Sequence, residues 1–332
     1  MVLYVTESGT QLHRSGEQIV VRRGTEELAT VHLHELEQVA LFGRIGMTPD
    51  TIGVLLQRGI DTVMFTSDGQ YRGRLVGRVQ GNAALRQAQL RRHDDPHFRL
   101  TVARSLATGK LRNMRTLVLR LGRRRGRAVL EQTARLRRAL GAVPAAPDLE
   151  ALRGLEGAGT AAYFDAMRLF LPSELGFQGR NRRPPRDPAN ALLSFAYALL
   201  ASQVEGAVYL TGMDPFVGFL HAVEYNRPSL VFDLMEEFRS VLADAVVLDL
   251  ANHGRVLAEH WQRRDGGCYL SDGGRRLLIA AFRARMETRV AYPVGGDRTE
   301  QLTYRECLVR QARLLGRVIM GEAATYDSFT VK

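Results

Sequence analysis

The sequence predicts an α+β protein, with a small β-rich region first and a larger all-α region after it. Two changes of pattern carry this reading. Over roughly the first 80 residues apolar and polar residues alternate between glycine-containing turns. From about Asn82 onward apolar residues recur at three- and four-residue spacing. The length of 332 residues corresponds to about two domains and is enough to bury a core without disulfide staples. The expected division is 1–80 for the β-rich region, 81–90 for a linker and 91–332 for the helical region.

The elements follow in order. LYVTESGTQLHRSGEQIVVRR alternates around turns at Ser8-Gly9 and Ser15-Gly16. Thr30 to Gly43 supplies two more short strands. Thr48-Pro49-Asp50 opens a helix that Gly59 ends, the proline fitting a first turn. IDTVMFT returns to strand before a turn at Ser67-Asp68-Gly69. Helices are then expected over RLTVARSLATGKLRNMRTLVLRLG, LRGLEGAGTAAYFDAMRLF, ANALLSFAYALLASQVEGAVYLTG, PFVGFLHAVEY and SLVFDLMEEFRSVLADAVVLDLANHG. GGRRLLIAAFRARMETRV and TYRECLVRQARLLGRVIMG add the last two. A break is expected near Gly141 to Pro147, and an ordered basic loop between Pro172 and Pro188.

Several classes are set aside. Mean hydropathy is −0.15, and no charge-free apolar run of eighteen residues occurs, so no transmembrane helix and no membrane partner are expected. The first residues lack the basic and apolar segments of a signal peptide. Cys268 and Cys307 stand far apart and make neither a disulfide framework nor a metal knuckle. A reducing cytoplasm is the expected compartment.

The net charge is +11, from 46 basic and 35 acidic residues. Lys110 and Lys332 are the only lysines, and the abundance of arginine, alanine and glycine points to a coding bias for that choice. The bias does not explain position. Between Pro96 and Leu130 there is no acidic residue, while ten basic ones occur, including Arg112, Arg115, Arg123, Arg124 and Arg125. Such a basic helix is a footprint for a polyanion, the plainer alternative being a solvated helix face. Arg180, Arg182 and Arg183 add a second basic group in the Pro172–Pro188 loop.

One helix carries an anomaly. Asp233, Glu236, Glu237, Ser240 and Asp244 fall on roughly one face of an otherwise apolar helix. Carboxylates enclosed by apolar surface are costly unless they are paired or bind a metal. His221, expected at the end of the preceding helix, would be folded back against the first turns of this one. One imidazole facing carboxylates suits Mg²⁺ or Mn²⁺ better than zinc. Glu156, flanked by Gly154, Gly157 and Gly159, is the third candidate ligand, because small neighbours let another group come close.

At these residues the sequence resembles the universal CRISPR-associated integrase family, the spacer-acquisition endonucleases. The resemblance runs through the Glu156 segment, GRNRRPPRDPANALLSFAYALL, GMDPFVGFLH and SLVFDLMEEFR, in that order. It implies a metal-dependent DNA integrase acting as a homodimer on double-stranded DNA, with a small ferredoxin-like CRISPR-associated partner. The family's ligands map by motif to Glu156, His221 and Glu236, with His221 also a catalytic candidate and Asp233 a supporting acid. Tyr163 and Asn190 are typical of the family. The implied reaction is attack by a 3′-hydroxyl on a phosphodiester at a repeat boundary, the β-rich region building the dimer. A non-catalytic DNA-binding scaffold and a metal-dependent DNA repair nuclease are the competing readings. The joint presence of Glu156, His221 and Glu236 favours catalysis over the first.

Overall fold

The computed structural model describes residues 1–77, 82–181, 184–295 and 298–331, so Arg182 and Arg183 lie outside the described residues. The chain opens with β1 (Val2–Val5), β2 (Gln11–Ser15), β3 (Gln18–Arg23), β4 (Glu26–His32), β5 (Gln38–Phe42) and β6 (Gly46–Met47). Helix α1 (Pro49–Arg58) and strands β7 (Asp61–Phe65) and β8 (Tyr71–Leu75) complete this region. Two four-stranded sheets result, ordered β1-β5-β7-β8 and β4-β3-β2-β6. Thr48 caps α1 through the Thr51 amide and Gly59 ends it at φ 65°, as the sequence predicts.

Period-two alternation divides the first sheet between two cores. Leu3, Val5, Val39 and Leu41 pack with Leu12, Ile19 and Leu55 inside the β-rich region. Val2, Ala40, Phe42 and Phe65 point the other way and join the core of the helical region. Phe42 stacks on Phe65 and on Phe195, at 4.6 and 5.4 Å between ring centroids. Gly69, at φ 81°, leaves no room for a Cβ, which would lie 2.5 Å from Phe195. Arg74, almost fully buried, pairs with Asp61 at 3.2 Å and with Glu205 of the helical region at 3.1 Å.

The second region comprises α2 (Ala83–Asp94), α3 (Pro96–Arg125), α4 (Leu130–Ala142), α5 (Leu149–Phe170), α6 (Pro188–Thr211) and α7 (Ser229–Phe238). A π-helical turn, Arg239–Asp244, joins α7 to α8 (Ala245–Asn252) without a break. Helix α2 therefore occupies most of the stretch read as a linker. The 30-residue α3 is the central element, packed against α2, α4, α5 and α7. Helix α6 is long and apolar enough to cross a membrane, yet it is largely buried; it is a core helix.

The sequence reading requires two corrections. The second region is largely rather than wholly helical: hairpins β9 (Trp261–Arg264) with β10 (Gly267–Leu270) and β11 (Arg289–Gly295) with β12 (Arg298–Thr303) flank α9 (Asp272–Met286). The run PFVGFLHAVEY forms no helix; its backbone groups bond to side chains instead. After α10 (Tyr304–Met320) the segment 323–331 folds back into the core through Tyr326 and Phe329.

Candidate active site

Four elements meet at the site: α3, α5, α7 and the loop from Met213 to Pro228. Asp233 on α7 is fully buried and organises the loop. Its carboxylate accepts the backbone N–H groups of Phe219, Leu220 and His221, at 2.5, 3.0 and 2.9 Å. The loop carbonyls are held from the other side, Gly218 by His93 Nδ1, Phe219 by Arg99 and Leu220 by Arg153. Amides and carbonyls so engaged have no need of helical partners, which is why this apolar run is irregular. A Cβ on Gly218 would lie 2.6 Å from Asp233 Oδ2 and 2.7 Å from the Ser229 carbonyl carbon, so the loop approaches α7 only because this residue is glycine.

Asp233 also bonds His221 Nδ1 at 2.7 Å. With Nδ1 engaged by Asp233, Nε2 is the ring nitrogen left to face the site. Nε2 faces Glu236 Oε1 at 3.8 Å. The oxygens of Asp233 are thus occupied by the loop amides and the imidazole.

Glu156 on α5 and Glu236 on α7 share one cation, the ammonium of Lys110 on α3. Lys110 Nζ bonds Glu156 Oε1 and stands 2.7 Å from Glu236 Oε2. Thr160 donates to Glu156 Oε1 at 3.0 Å, and Arg239 stands 3.1 Å from Glu236 Oε1. Burial pushes the Glu236 carboxyl up, but Arg239, Lys110 and His221 outweigh it and hold the pKa at about 2. Burial likewise disfavours the Lys110 ammonium, and Glu236 and Glu156 reverse that, holding its pKa above the ordinary lysine value. The structure thus links Glu156 to Glu236 through Lys110 and sets His221 beside Glu236.

The rest of the acidic face divides among other partners. Glu237, fully buried, accepts from Tyr326 Oη, from Gln311 Nε2 at 2.7 Å and from the Phe329 amide at 2.5 Å. Burial raises its pKa to about 7 against the pull of those bonds. Asp244 accepts from Tyr163 at 2.8 Å and Tyr197 at 2.6 Å. Burial pushes its carboxyl up to about 6, with the two tyrosines, Arg239 and Arg180 opposing. Residue spacing identifies the helix face; it does not identify the element that each turn meets.

The architecture has counterparts among known proteins. A profile described as "CRISPR associated protein Cas1" matches residues 3–284. The chain belongs to the Cas1 family. A relative from Thermus thermophilus, CRISPR-associated endonuclease Cas1 3, is 39% identical over 333 residues, spanning 100% of this chain and 97% of that protein. Among solved structures, a casposase bound to integration product is similar at TM-score 0.87 and 20% identity, over 98% of this chain and 92% of the other. A Cas6-RT-Cas1–Cas2 complex is similar at TM-score 0.82 and 24% identity, over 99% of this chain and 36% of that one. These structural likenesses concern the fold.

In this Cas1-family chain the predicted arginines separate into two groups. Arg123, Arg124 and Arg125 are exposed at the end of α3, beside exposed Arg120 and Arg127, and Arg112 is exposed as well. Arg115 is half-buried. Arg180 turns inward: it donates to Asn190 Oδ1 at 2.6 Å and Ser194 Oγ at 3.0 Å, and lies over the Tyr197 ring. Asn190 ties this loop down, also accepting from the Asn181 amide and donating to the Gly179 carbonyl and to Asp187. Within the acid-free window Arg99, Arg104 and Lys110 bond to Phe219, Ala146 and the two glutamates, so part of that charge is structural.

Sequence reasoning missed Lys110, Arg239, Arg153 and Thr160 as members of the centre. For Lys110 a signal existed, since it is one of two lysines in an arginine-rich chain. For Arg239 the signal was the i, i+3 spacing from Glu236.

Proposed function

We propose that Glu156, His221 and Glu236 form the metal-dependent phosphoryl-transfer centre of a DNA integrase. Family membership makes the chain an endonuclease and integrase of CRISPR spacer acquisition. The observation that carries the centre is the pair of carboxylates held by one ammonium, with the Nε2 of His221, anchored by Asp233, facing Glu236. Among the described residues no three such side chains are arranged to hold a metal as they stand; here the Lys110 ammonium lies between the two carboxylates. The donor set nevertheless fits a hard divalent ion, and buried Glu236 Oε2 makes no well-aligned hydrogen bond. Glu156, Glu236 and His221 Nε2 would hold Mg²⁺ or Mn²⁺.

When bound, the ion would polarise the scissile phosphate and steady the leaving oxygen. The chain's own residues do the rest. Asp233 fixes the His221 ring, and Arg239 holds Glu236 in place. The exposed arginines at the end of α3 grip phosphates of double-stranded DNA without reading sequence. A DNA 3′-hydroxyl attacks a phosphodiester and a 3′-oxygen leaves, so bond count is conserved and no nucleoside triphosphate is consumed. Water in place of the hydroxyl gives cleavage.

Joining both ends of a DNA segment needs two such centres, so the working unit is a C2 homodimer. The β-rich region is its surface, because β4 presents an exposed edge strand. A small ferredoxin-like partner completes the assembly; the Cas1–Cas2 complex above supports that reading. The two cysteines are buried and unbridged, which suits a reducing cytoplasm.

A strand-joining assay on gels, with and without Mg²⁺ or Mn²⁺, tests this. Glu156→Gln, His221→Ala and Glu236→Gln should each abolish joining and keep DNA binding. Joining that persists in all three, or that needs no divalent ion, would overturn the proposed centre; a wild-type chain that binds DNA and joins nothing with either ion would leave a DNA-binding scaffold.

A further inference from the structure

We propose that Lys110 is a resident counter-ion of the metal centre, holding Glu156 and Glu236 together when no metal is bound and giving up that position when a divalent ion enters. This rests on the assignment of Glu156 and Glu236 as metal ligands. The first observation is geometric. The Lys110 ammonium contacts both carboxylates at once, which is where an ion shared by them has to sit. Both positions cannot be filled together, because a lysine ammonium and a divalent cation at one point repel and compete for the same oxygen lone pairs.

Charge gives the second argument. Glu156 and Glu236 are balanced by Lys110 and Arg239, so the four groups sum to zero. A neutral cluster attracts a dication weakly. Withdrawal of Lys110 leaves net −1 around the two glutamates, while Arg239 stays on Glu236.

The identity of the residue is the third. The chain has 44 arginines and two lysines, yet the cation here is lysine. Guanidinium would clamp a carboxylate through two parallel hydrogen bonds. Ammonium is a point charge on a flexible four-carbon stem and is released more easily. There is also somewhere for it to go. Glu156 is partly open to solvent, so an ammonium that leaves Glu236 can follow that carboxylate outward.

The test is Mn²⁺ binding to the full chain without DNA, read from the electron paramagnetic resonance of free Mn²⁺. Lys110→Met should bind Mn²⁺ about tenfold more tightly than wild type, because one adjacent positive charge is gone. Lys110→Arg, which keeps the charge and strengthens the grip, should bind more weakly than wild type. If Lys110→Met melts early without metal, Mn²⁺ should restore its transition by more than it shifts wild type. A folded Lys110→Met whose affinity is equal to or weaker than wild type overturns the proposal. Should that variant fail to fold even with Mn²⁺, Lys110→Arg decides, and an affinity equal to or tighter than wild type overturns it. Glu156→Gln separates the two levels. If it binds Mn²⁺ as wild type does, the metal centre itself is misassigned. If it loses the ion while Lys110→Met gains no affinity, only the displacement of Lys110 fails.

Discussion

Asp233 and His221 are joined twice, backbone to carboxylate at 2.9 Å and ring to carboxylate at 2.7 Å. One side chain therefore sets both where the histidine stands and which nitrogen it offers. We predict that Asp233→Asn fails in two ways. Its amide group turns an acceptor into a donor where three backbone N–H groups converge, and each N–H left unmade costs about 1–3 kcal/mol. The carboxylate that engages Nδ1 is also gone. Urea unfolding should show a loss of at least about 2 kcal/mol, whereas His221→Ala should unfold near the wild-type midpoint with joining abolished. Equal stability of Asp233→Asn and wild type would refute this.

Gly218→Ala tests the close approach of the loop to α7. The added methyl meets backbone of Ser229 and Leu230 as well as Asp233 Oδ2, and backbone cannot step aside. The expected destabilisation is about 1–3 kcal/mol, accompanied by loss of joining. A variant with wild-type melting temperature and joining rate would contradict the geometry.

Arg74 links the two regions through buried ion pairs to Asp61 and Glu205. Arg74→Met leaves two carboxylates facing each other with no cation. Burial already pushes both of their pKa values up against the pull of Arg74. The variant should lose about 3–5 kcal/mol, and the double variant Asp61→Asn with Glu205→Gln in the Arg74→Met background should recover part of it. Additive losses in a thermal-melting cycle would show that the three groups do not act together.

Asp244 predicts a dependence of stability on pH. Its pKa is about 6 in the folded chain, against about 3.9 for an ordinary aspartate. Below pH ~4 both states hold the proton and the contribution is complete. Between about 4 and 6 the unfolded chain releases its proton while the folded chain keeps it, so stability falls as pH rises, by up to about 3 kcal/mol. Asp244→Asn should lack this component. The measurement is the difference between wild-type and variant unfolding free energies across pH 4 to 7, and parallel curves would reject it.

Replacing Arg123, Arg124 and Arg125 with alanine should weaken binding to all duplex sequences alike. Every phosphate that the variant no longer neutralises should flatten the plot of log affinity against log salt by about 0.9. A triple variant with the wild-type slope would assign these arginines to solvent only.

The sequence announced the order of β-rich and helical regions because period two and period 3.6 are local signals. It announced Glu156, His221, Asp233 and Glu236 because those residue types stand out against apolar or small neighbours. What it hid depends on contacts made across the chain. PFVGFLH has the composition of a helix, and only partners from α2, α3, α5 and α7 make it a loop. The hairpins beside α9 are short and arginine-rich, so their alternation carries little apolar contrast. Arg180 reads like Arg123 in sequence, yet one is folded under Asn190 and the other is exposed. The π-helical turn leaves no mark in SLVFDLMEEFRSVLADAVVLDLANHG, since one added backbone residue per turn changes no residue type.

Phe329 donates its amide to Glu237 from 92 residues further along the chain, and Asn113 on α3 bonds the Phe329 carbonyl and the Val331 amide. The carboxylate next to Glu236 is therefore satisfied only when the last described residues have arrived. Until that segment packs, water rather than protein satisfies the Glu237 carboxylate, so the inner face of α7 and the last described residues close over it in one step.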